Sequence, residues 1–346
     1  MLHCKAQGCR SWAQRVYELG CVMSTIYVSE PIHPQVLADI AARTDLLLGF
    51  GPEAVTYESI ADRLDAVMLR SERFPASRIA ASTRLKVIAR HGAGYDTVDL
   101  AAAHARGITV TYCPGGNANA VAEHVFALVL SLGRKVVLGH TGLLAGPWPK
   151  AKQHLVGQEL GARTMGIVGF GEIGKLVCRM ARGFGMEVLV HDPFLEPEVA
   201  SEHSARLVNL DDLLSRCGVV SLHAPLTGAT KHLINAERLA TMRPDAFLVN
   251  TSRAGLIDEV ALVDALASGR IAGAAVDVAD AEQEQGDQVT FGGRALTAVP
   301  NLLLTPHVAG QTEQALLAVG TTAWRDILAV LNGAPPFHPV PTSAAR

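Results

Sequence analysis

The stretch with the clearest chemical potential is Gly166-Ile-Val-Gly169-Phe-Gly171-Glu172-Ile173-Gly174. It contains G-x-G-x-x-G, which is weak by itself in a chain with 32 glycines among 346 residues, so context must decide. An apolar strand precedes the glycines and helical spacing continues over Lys175–Phe184. Asp192 closes the next strand, 18 residues after Gly174. Each part suits a dinucleotide. Gly169 and Gly171 permit a tight turn and close backbone approach to a pyrophosphate, and the helix start offers N–H groups and a positive dipole end. Asp192 can accept hydrogen bonds from the ribose 2′- and 3′-hydroxyls.

Two competing glycine patterns fit less well. Gly49-Phe-Gly51-Pro52-Glu-Ala54 also comes after a strand, but Pro52 removes an N–H donor and the next strand ends in Arg70, not an acid. Gly169-x4-Gly174-Lys175 begins a phosphate-binding P-loop. Leu176, however, stands where a Mg²⁺-ligating Ser or Thr is needed, which argues against an NTPase.

These motifs need a sheet to hold them. From Thr25 to Thr111 short strands (Thr25–Val28, Thr44–Leu48, Ala66–Leu69, Val87–Arg90, Thr109–Thr111) alternate with helical stretches at Pro34–Arg43, Tyr57–Leu64, Pro75–Ser82 and Leu100–Arg106. A second alternation places strands at Met165–Val168, Glu187–His191, Val219–His223, Phe247–Asn250, Ala274–Asp277 and Leu302–Thr305. Such alternation predicts parallel sheets covered on both faces, and six strands suffice for a dinucleotide-binding sheet. Val121, Val125, Leu128, Val129 and Leu132 predict one long helix from Asn119 to about Val137, either buried or a dimer contact. A last helix, Thr312–Leu331, precedes a Pro-rich tail.

Composition narrows the class. Hydrophobic residues make up 49% and charged residues 18%, enough to build large cores, and the length suggests about two domains. A net charge of −3 gives no basic excess for a phosphate backbone, so nucleic acid is not an expected partner. No apolar run is long enough for a membrane span. Cys113, Cys178 and Cys217 sit in apolar surroundings and read as core residues of a reducing compartment, the cytoplasm. His3, Cys4 and Cys9 match no zinc spacing, and no metal is expected. Residues 1–23 differ in texture from the rest of the chain and read as a disordered extension or a mis-assigned start, with Met23 the first functional residue.

Four further stretches complete a pattern: Arg90-His-Gly92-Ala93-Gly94-Tyr-Asp96, Val249-Asn-Thr251-Ser252-Arg253-Ala-Gly255, Gly273-Ala-Ala-Val-Asp277-Val-Ala-Asp280-Ala-Glu282, and Leu304-Thr-Pro-His307-Val-Ala-Gly310. With the glycine loop, and in this order, the chain from Met23 to Leu331 resembles the D-isomer-specific 2-hydroxyacid dehydrogenases, nearest the phosphoglycerate dehydrogenase and hydroxypyruvate reductase branch. The resemblance implies an α/β fold of two doubly wound domains: a Rossmann-type NAD domain over 118–309, and a smaller flavodoxin-like substrate domain from 24–117 and 310–333. The two crossings between domains imply a hinge and closure over substrate. A homodimer through the NAD domains is also implied.

The resemblance assigns Arg253 to the substrate carboxylate, for which a planar, permanently charged fork is suited. His307 would exchange a proton with the substrate oxygen, and Glu282 would hold its imidazole and favour the charged form. All three come just after strands, where open α/β sheets bind ligands. Cofactor contacts carried over are Gly169, Gly171, Glu172, Ile173, Gly174, Asp192, His223, Pro225, Thr251, Ser252, Arg253, Asp277 (near the nicotinamide amide), His307 and Gly310. Gly92, Ala93 and Gly94 would offer N–H groups to the substrate carboxylate. Arg70 and Arg90, ending two strands of the small domain, would receive a group at the far end of the substrate, a small anionic 2-oxo or 2-hydroxy acid.

The chain departs from the family at Ala279, where an aromatic is usual, and at Glu282-Gln283, where Glu-Pro is usual. Asp280 competes with Glu282, but the five-residue step from Asp277 favours Glu282. A non-catalytic, NAD(H)-sensing co-repressor on the same fold is the alternative reading.

Overall fold

Strands β1 (Thr25–Val28), β3 (Ala66–Leu69) and β4 (Val87–Arg90) are buried along their whole length, as continuous apolar runs in a doubly covered parallel sheet must be. With β2 (Asp45–Leu48) and β5 (Thr109–Thr111) they pair in the order β2-β1-β3-β4-β5, every pair parallel. That is the flavodoxin-like doubly wound order. Alternate residues feed two cores: Tyr27, Val67, Leu69 and Ile88 on one face, Ile26, Val28, Met68 and Ala89 on the other. The computed structural model describes residues 24–283 and 288–341, so the expectation for residues 1–23 lies outside the described residues.

The second sheet holds β6 (Thr164–Val168), β7 (Glu187–His191), β8 (Arg206–Leu207), β9 (Val219–Leu222), β10 (Phe247–Asn250), β11 (Gly273–Val276) and, after a small hairpin of β12 (Thr290–Phe291) and β13 (Arg294–Ala295), β14 (Leu302–Leu304). Their order is β14-β11-β10-β9-β6-β7-β8, again all parallel. It is the Rossmann order with one strand added, and it reverses direction between β6 and β9. The seventh strand corrects the expected six. β8 spans only two residues, too short to show a period.

The long helix expected over 119–137 is two helices. Ala118–Gly133 is buried, with Val125, Phe126 and Val129 packed in one core with Val177, Cys178 and Ala181. It stops where Lys135 turns left-handed (φ 53°), and a new helix, Val136–Ala145, buries none of its residues. The stretch expected to be helical from Tyr57 to Leu64 forms two short 3₁₀ turns, Tyr57–Ser59 and Ala61–Arg63.

The chain divides into two compact units. One runs up to Gly116 and resumes at Leu316; the other spans Asn117–Ala315. Residues 310–315 therefore belong with the larger unit. The tail past Gly333 packs on the smaller one, where Val340 donates to the Val110 carbonyl at 2.9 Å and buried Asp326 accepts the N–H of Phe337 at 2.7 Å. Among the described residues no helix is long and apolar enough to cross a membrane.

Candidate active site

The glycine turn joins β6 to the helix Glu172–Gly183. Gly169 has φ +92°, and a Cβ there would lie 2.7 Å from the His223 carbonyl, so the turn presses on the end of β9 at a distance only glycine allows. A Cβ on Gly174 would lie 2.3 Å from the Gly169 carbonyl oxygen, which locks helix to strand. Gly171 caps the helix and faces open space instead. Glu172 is exposed and Ile173 half-buried behind it. A helix N-terminus with an unobstructed approach fits the pyrophosphate of a dinucleotide.

Asp192 stands beside this turn, just past β7. Its Oδ2 accepts the Phe170 N–H at 2.9 Å and its Oδ1 the Phe194 N–H at 3.0 Å, leaving one lone pair on each oxygen. His223 comes just past β9, with Nε2 2.8 Å from the Ser221 hydroxyl. Burial pushes its pKa down to about 4, so it is neutral at physiological pH. Pro225 is exposed just beyond it.

The other half of the sheet carries the reactive types. Arg253 comes after β10, Glu282 after β11 and His307 after β14, three neighbouring parallel strands. Asn250 shapes the Arg253 turn: its Nδ2 donates to the Arg253 carbonyl at 2.8 Å and its Oδ1 accepts the Ser252 N–H at 3.0 Å. Ser252 donates its hydroxyl to the Leu222 carbonyl at 2.7 Å, tying this turn to β9, and Thr251 is buried between them in sequence. Half-buried Arg253 donates from Nη1 to the Ser252 carbonyl at 2.7 Å. His307 is exposed at φ +53°, and a Cβ on Gly310 would lie 2.6 Å from the Asn117 amide nitrogen. Glu282 has its backbone in the turn Asp280–Gln283; its side chain lies outside the described residues.

A family model for the D-isomer specific 2-hydroxyacid dehydrogenase NAD binding domain matches residues 126–309. The chain belongs to that family. It is 37% identical over 317 residues to a D-3-phosphoglycerate dehydrogenase of Synechocystis, covering 90% of this chain and 55% of that one. It is 33% identical over 287 residues to the glyoxylate reductase of Thermococcus litoralis, covering 82% of this chain and 85% of the relative. A crystal structure of D-lactate dehydrogenase from Aquifex aeolicus, complexed with NAD and lactic acid, superposes with TM-score 0.76 at 26% identity over 90% of this chain and 96% of that one. The chain thus spans a little over half the length of the D-3-phosphoglycerate dehydrogenases it matches.

Asp277 and Arg90 are tied into the turns beside them. Asp277 is 1% exposed and turned inward: its carboxylate accepts the Thr305 hydroxyl, the Val308 N–H at 3.0 Å and the Ala309 N–H at 2.8 Å. These three bonds organise the turn that carries His307. Arg90 is also buried, 6% exposed, and its Nε donates to the Gly94 carbonyl at 2.9 Å, which braces the Gly92–Gly94 turn. Half-buried Arg70, just past the neighbouring strand β3, donates from Nη1 to the Pro31 carbonyl at 2.8 Å. Ala93 is exposed, and Gly92 has open space where a Cβ would be.

Two contributors escaped the sequence reading. His124 Nε2 lies 3.1 Å from the Thr305 hydroxyl and 3.6 Å from Asp277 Oδ1. On a long apolar helix this lone histidine carried no signal beyond its polarity. Asn250 looked like an ordinary strand end, and only the Asn–x–x–Arg spacing hinted that its amide closes the turn.

Proposed function

We propose that this protein is an NAD-dependent dehydrogenase that interconverts a 2-oxo acid and a D-2-hydroxy acid. The observation that carries this reading is the division of one sheet: β6 and β7 present a dinucleotide turn and a ribose acceptor, while β10, β11 and β14 present Arg253, Glu282 and His307 at their carboxyl ends. Gly169, Gly171 and the helix start at Glu172 would hold the pyrophosphate, and Asp192 the adenosine ribose. The nicotinamide, when bound, supplies or accepts the hydride at C2.

The protein's own groups do the rest. Arg253 pairs with the substrate carboxylate through two parallel N–H donors and polarises the adjacent carbonyl. Reduction leaves negative charge on the C2 oxygen, and His307 delivers the proton that neutralises it; in oxidation it removes that proton. Glu282 favours the imidazolium and so keeps the donor loaded. The names of the relatives, D-3-phosphoglycerate dehydrogenase, glyoxylate reductase and D-lactate dehydrogenase, agree on a D-2-hydroxy acid and differ on its tail.

NADH oxidation with glyoxylate, hydroxypyruvate and 3-phosphohydroxypyruvate tests the reading. Turnover is expected with at least one of these acids, reduced about a hundredfold or more in His307→Ala with NADH affinity little changed. A chain that binds NADH and turns over none of these acids is not this enzyme.

The protein also acts as a homodimer in this reading. Val136, Leu138, Leu144 and Trp148 are 56%, 57%, 76% and 71% exposed on adjoining helices of the larger unit, an apolar surface that a second copy would cover.

A further inference from the structure

Glu259 opens the helix Glu259–Ala267 and is 8% exposed. Capping of that helix falls to Asp258, whose carboxylate accepts the Ala261 N–H at 3.1 Å. The Glu259 carboxylate leaves its own helix. Its Oε1 accepts the N–H of Asp280 at 2.8 Å and its Oε2 the N–H of Gly292 at 3.2 Å. Gly292 has φ +54°, and a Cβ on it would lie 2.7 Å from the Glu259 carbonyl oxygen, so the β12–β13 hairpin rests on the start of this helix at a distance only glycine permits.

A carboxylate is costly to bury, and N–H donors reduce that cost without removing it. An apolar side chain at this place would leave the Asp280 and Gly292 N–H groups without their acceptor. What a carboxylate adds is direction, because it fixes two backbone N–H groups on one rigid fork. One of them, Asp280, starts the 3₁₀ turn that contains Glu282 two residues later. The fork itself is anchored six residues after Arg253, in the connection that leaves β10. Glu259 thus ties the helix that follows the Arg253 turn to the turn that carries Glu282.

We propose that Glu259 is a positioning residue, which sets the Glu282 turn relative to Arg253 and thereby keeps the His307 imidazole loaded. The proposal rests on the roles given to Glu282 and His307 above. Glu259→Gln keeps the shape but turns an amide N–H₂ toward one of the two N–H donors. Exchange of the Asp280 or Gly292 amide is expected to speed up tenfold or more. The kcat for reduction should fall about tenfold with the KM for NADH within twofold, and the alkaline limb of the pH–rate profile should move to lower pH, as Glu282→Gln should also move it by removing the charge that favours the imidazolium. In a Glu282→Gln background, Glu259→Gln should cost less than a further twofold. Glu259→Asp, which keeps the charge but shortens the reach, should show a smaller limb shift and guards against simple misfolding. An unmoved limb, losses that multiply in the double variant, or unaltered amide exchange each overturn the proposal. Absence of turnover on every 2-oxo acid sinks the functional reading instead, and amide exchange still reports whether Glu259 clamps the turn.

Discussion

Asp277 accepts the backbone N–H of Ala309 at 2.8 Å across 32 residues of sequence. The same carboxylate takes the Val308 N–H and the Thr305 hydroxyl, so the residues flanking His307 are held by one buried side chain from the neighbouring strand β11. This arrangement lets His307 occupy a left-handed conformation that a non-glycine residue adopts only when its surroundings impose it.

Asp277→Asn should therefore damage the turn before it damages cofactor binding. One N–H that now meets an oxygen would face an amide N–H₂, at a cost of about 2 kcal/mol in stability. The kcat should fall tenfold or more, with the KM for NADH nearly unchanged. Urea unfolding and steady-state kinetics on one sample check this; a raised KM for NADH at unaltered stability would return Asp277 to the cofactor.

The parts of this molecule that were legible in sequence are those with local signatures. Glycines at 169, 171 and 174 announce a turn because backbone crowding excludes every other residue at Gly169 and Gly174, and apolar runs of four or five announce buried strands. Pairings across long stretches leave no such mark. Glu259 to Asp280 spans 21 residues and looks in sequence like any acid in a first helical turn. Arg90 at a strand end gave no sign in sequence that its Nε would bond the Gly94 carbonyl four residues on. The break at Lys135 likewise has no proline to announce it.

Cofactor choice should depend on Asp192. Both its oxygens are held by the Phe170 and Phe194 N–H groups, which keeps the carboxylate fixed beside the glycine turn. Residues 193–196 are Pro, Phe, Leu and Glu, with no cation to receive a 2′-phosphate. Setting a phosphate against this carboxylate costs on the order of 2–4 kcal/mol at an intermediate effective dielectric. NADH should exceed NADPH at least tenfold in kcat/KM, and Asp192→Ser should narrow the gap. Equal efficiency of the two cofactors in the unaltered protein would refute the assignment.

The uncovered helix Val136–Ala145 makes the dimer testable without the reaction. Leu144→Glu and Trp148→Glu put charge where apolar side chains are 76% and 71% exposed, so neither should harm the fold of an isolated chain. Both should shift the mass seen by sedimentation velocity from two chains to one, or weaken association tenfold or more. If both variants sediment as the unaltered protein does, the copies meet through another surface.

Acid stability should depend on His91. It is 6% exposed, and burial, reinforced by the nearby Arg70 charge, pushes its pKa from 6.5 down to about 4. The unfolded chain takes up a proton near pH 6.5 that the folded chain refuses until about pH 4. Stability is therefore unaffected by this group above pH 6.5 and is lost as pH falls through the window between the two values, by about 3 kcal/mol in all. His91→Leu removes the proton-binding group, while every carboxylate that titrates in the same range stays common to both proteins. The variant's unfolding free energy, measured in urea at pH 7, 5.5 and 4.5, should thus decline less steeply toward acid than that of the unaltered protein. Parallel declines would mean that His91 takes up its proton in the folded state as readily as in the unfolded one.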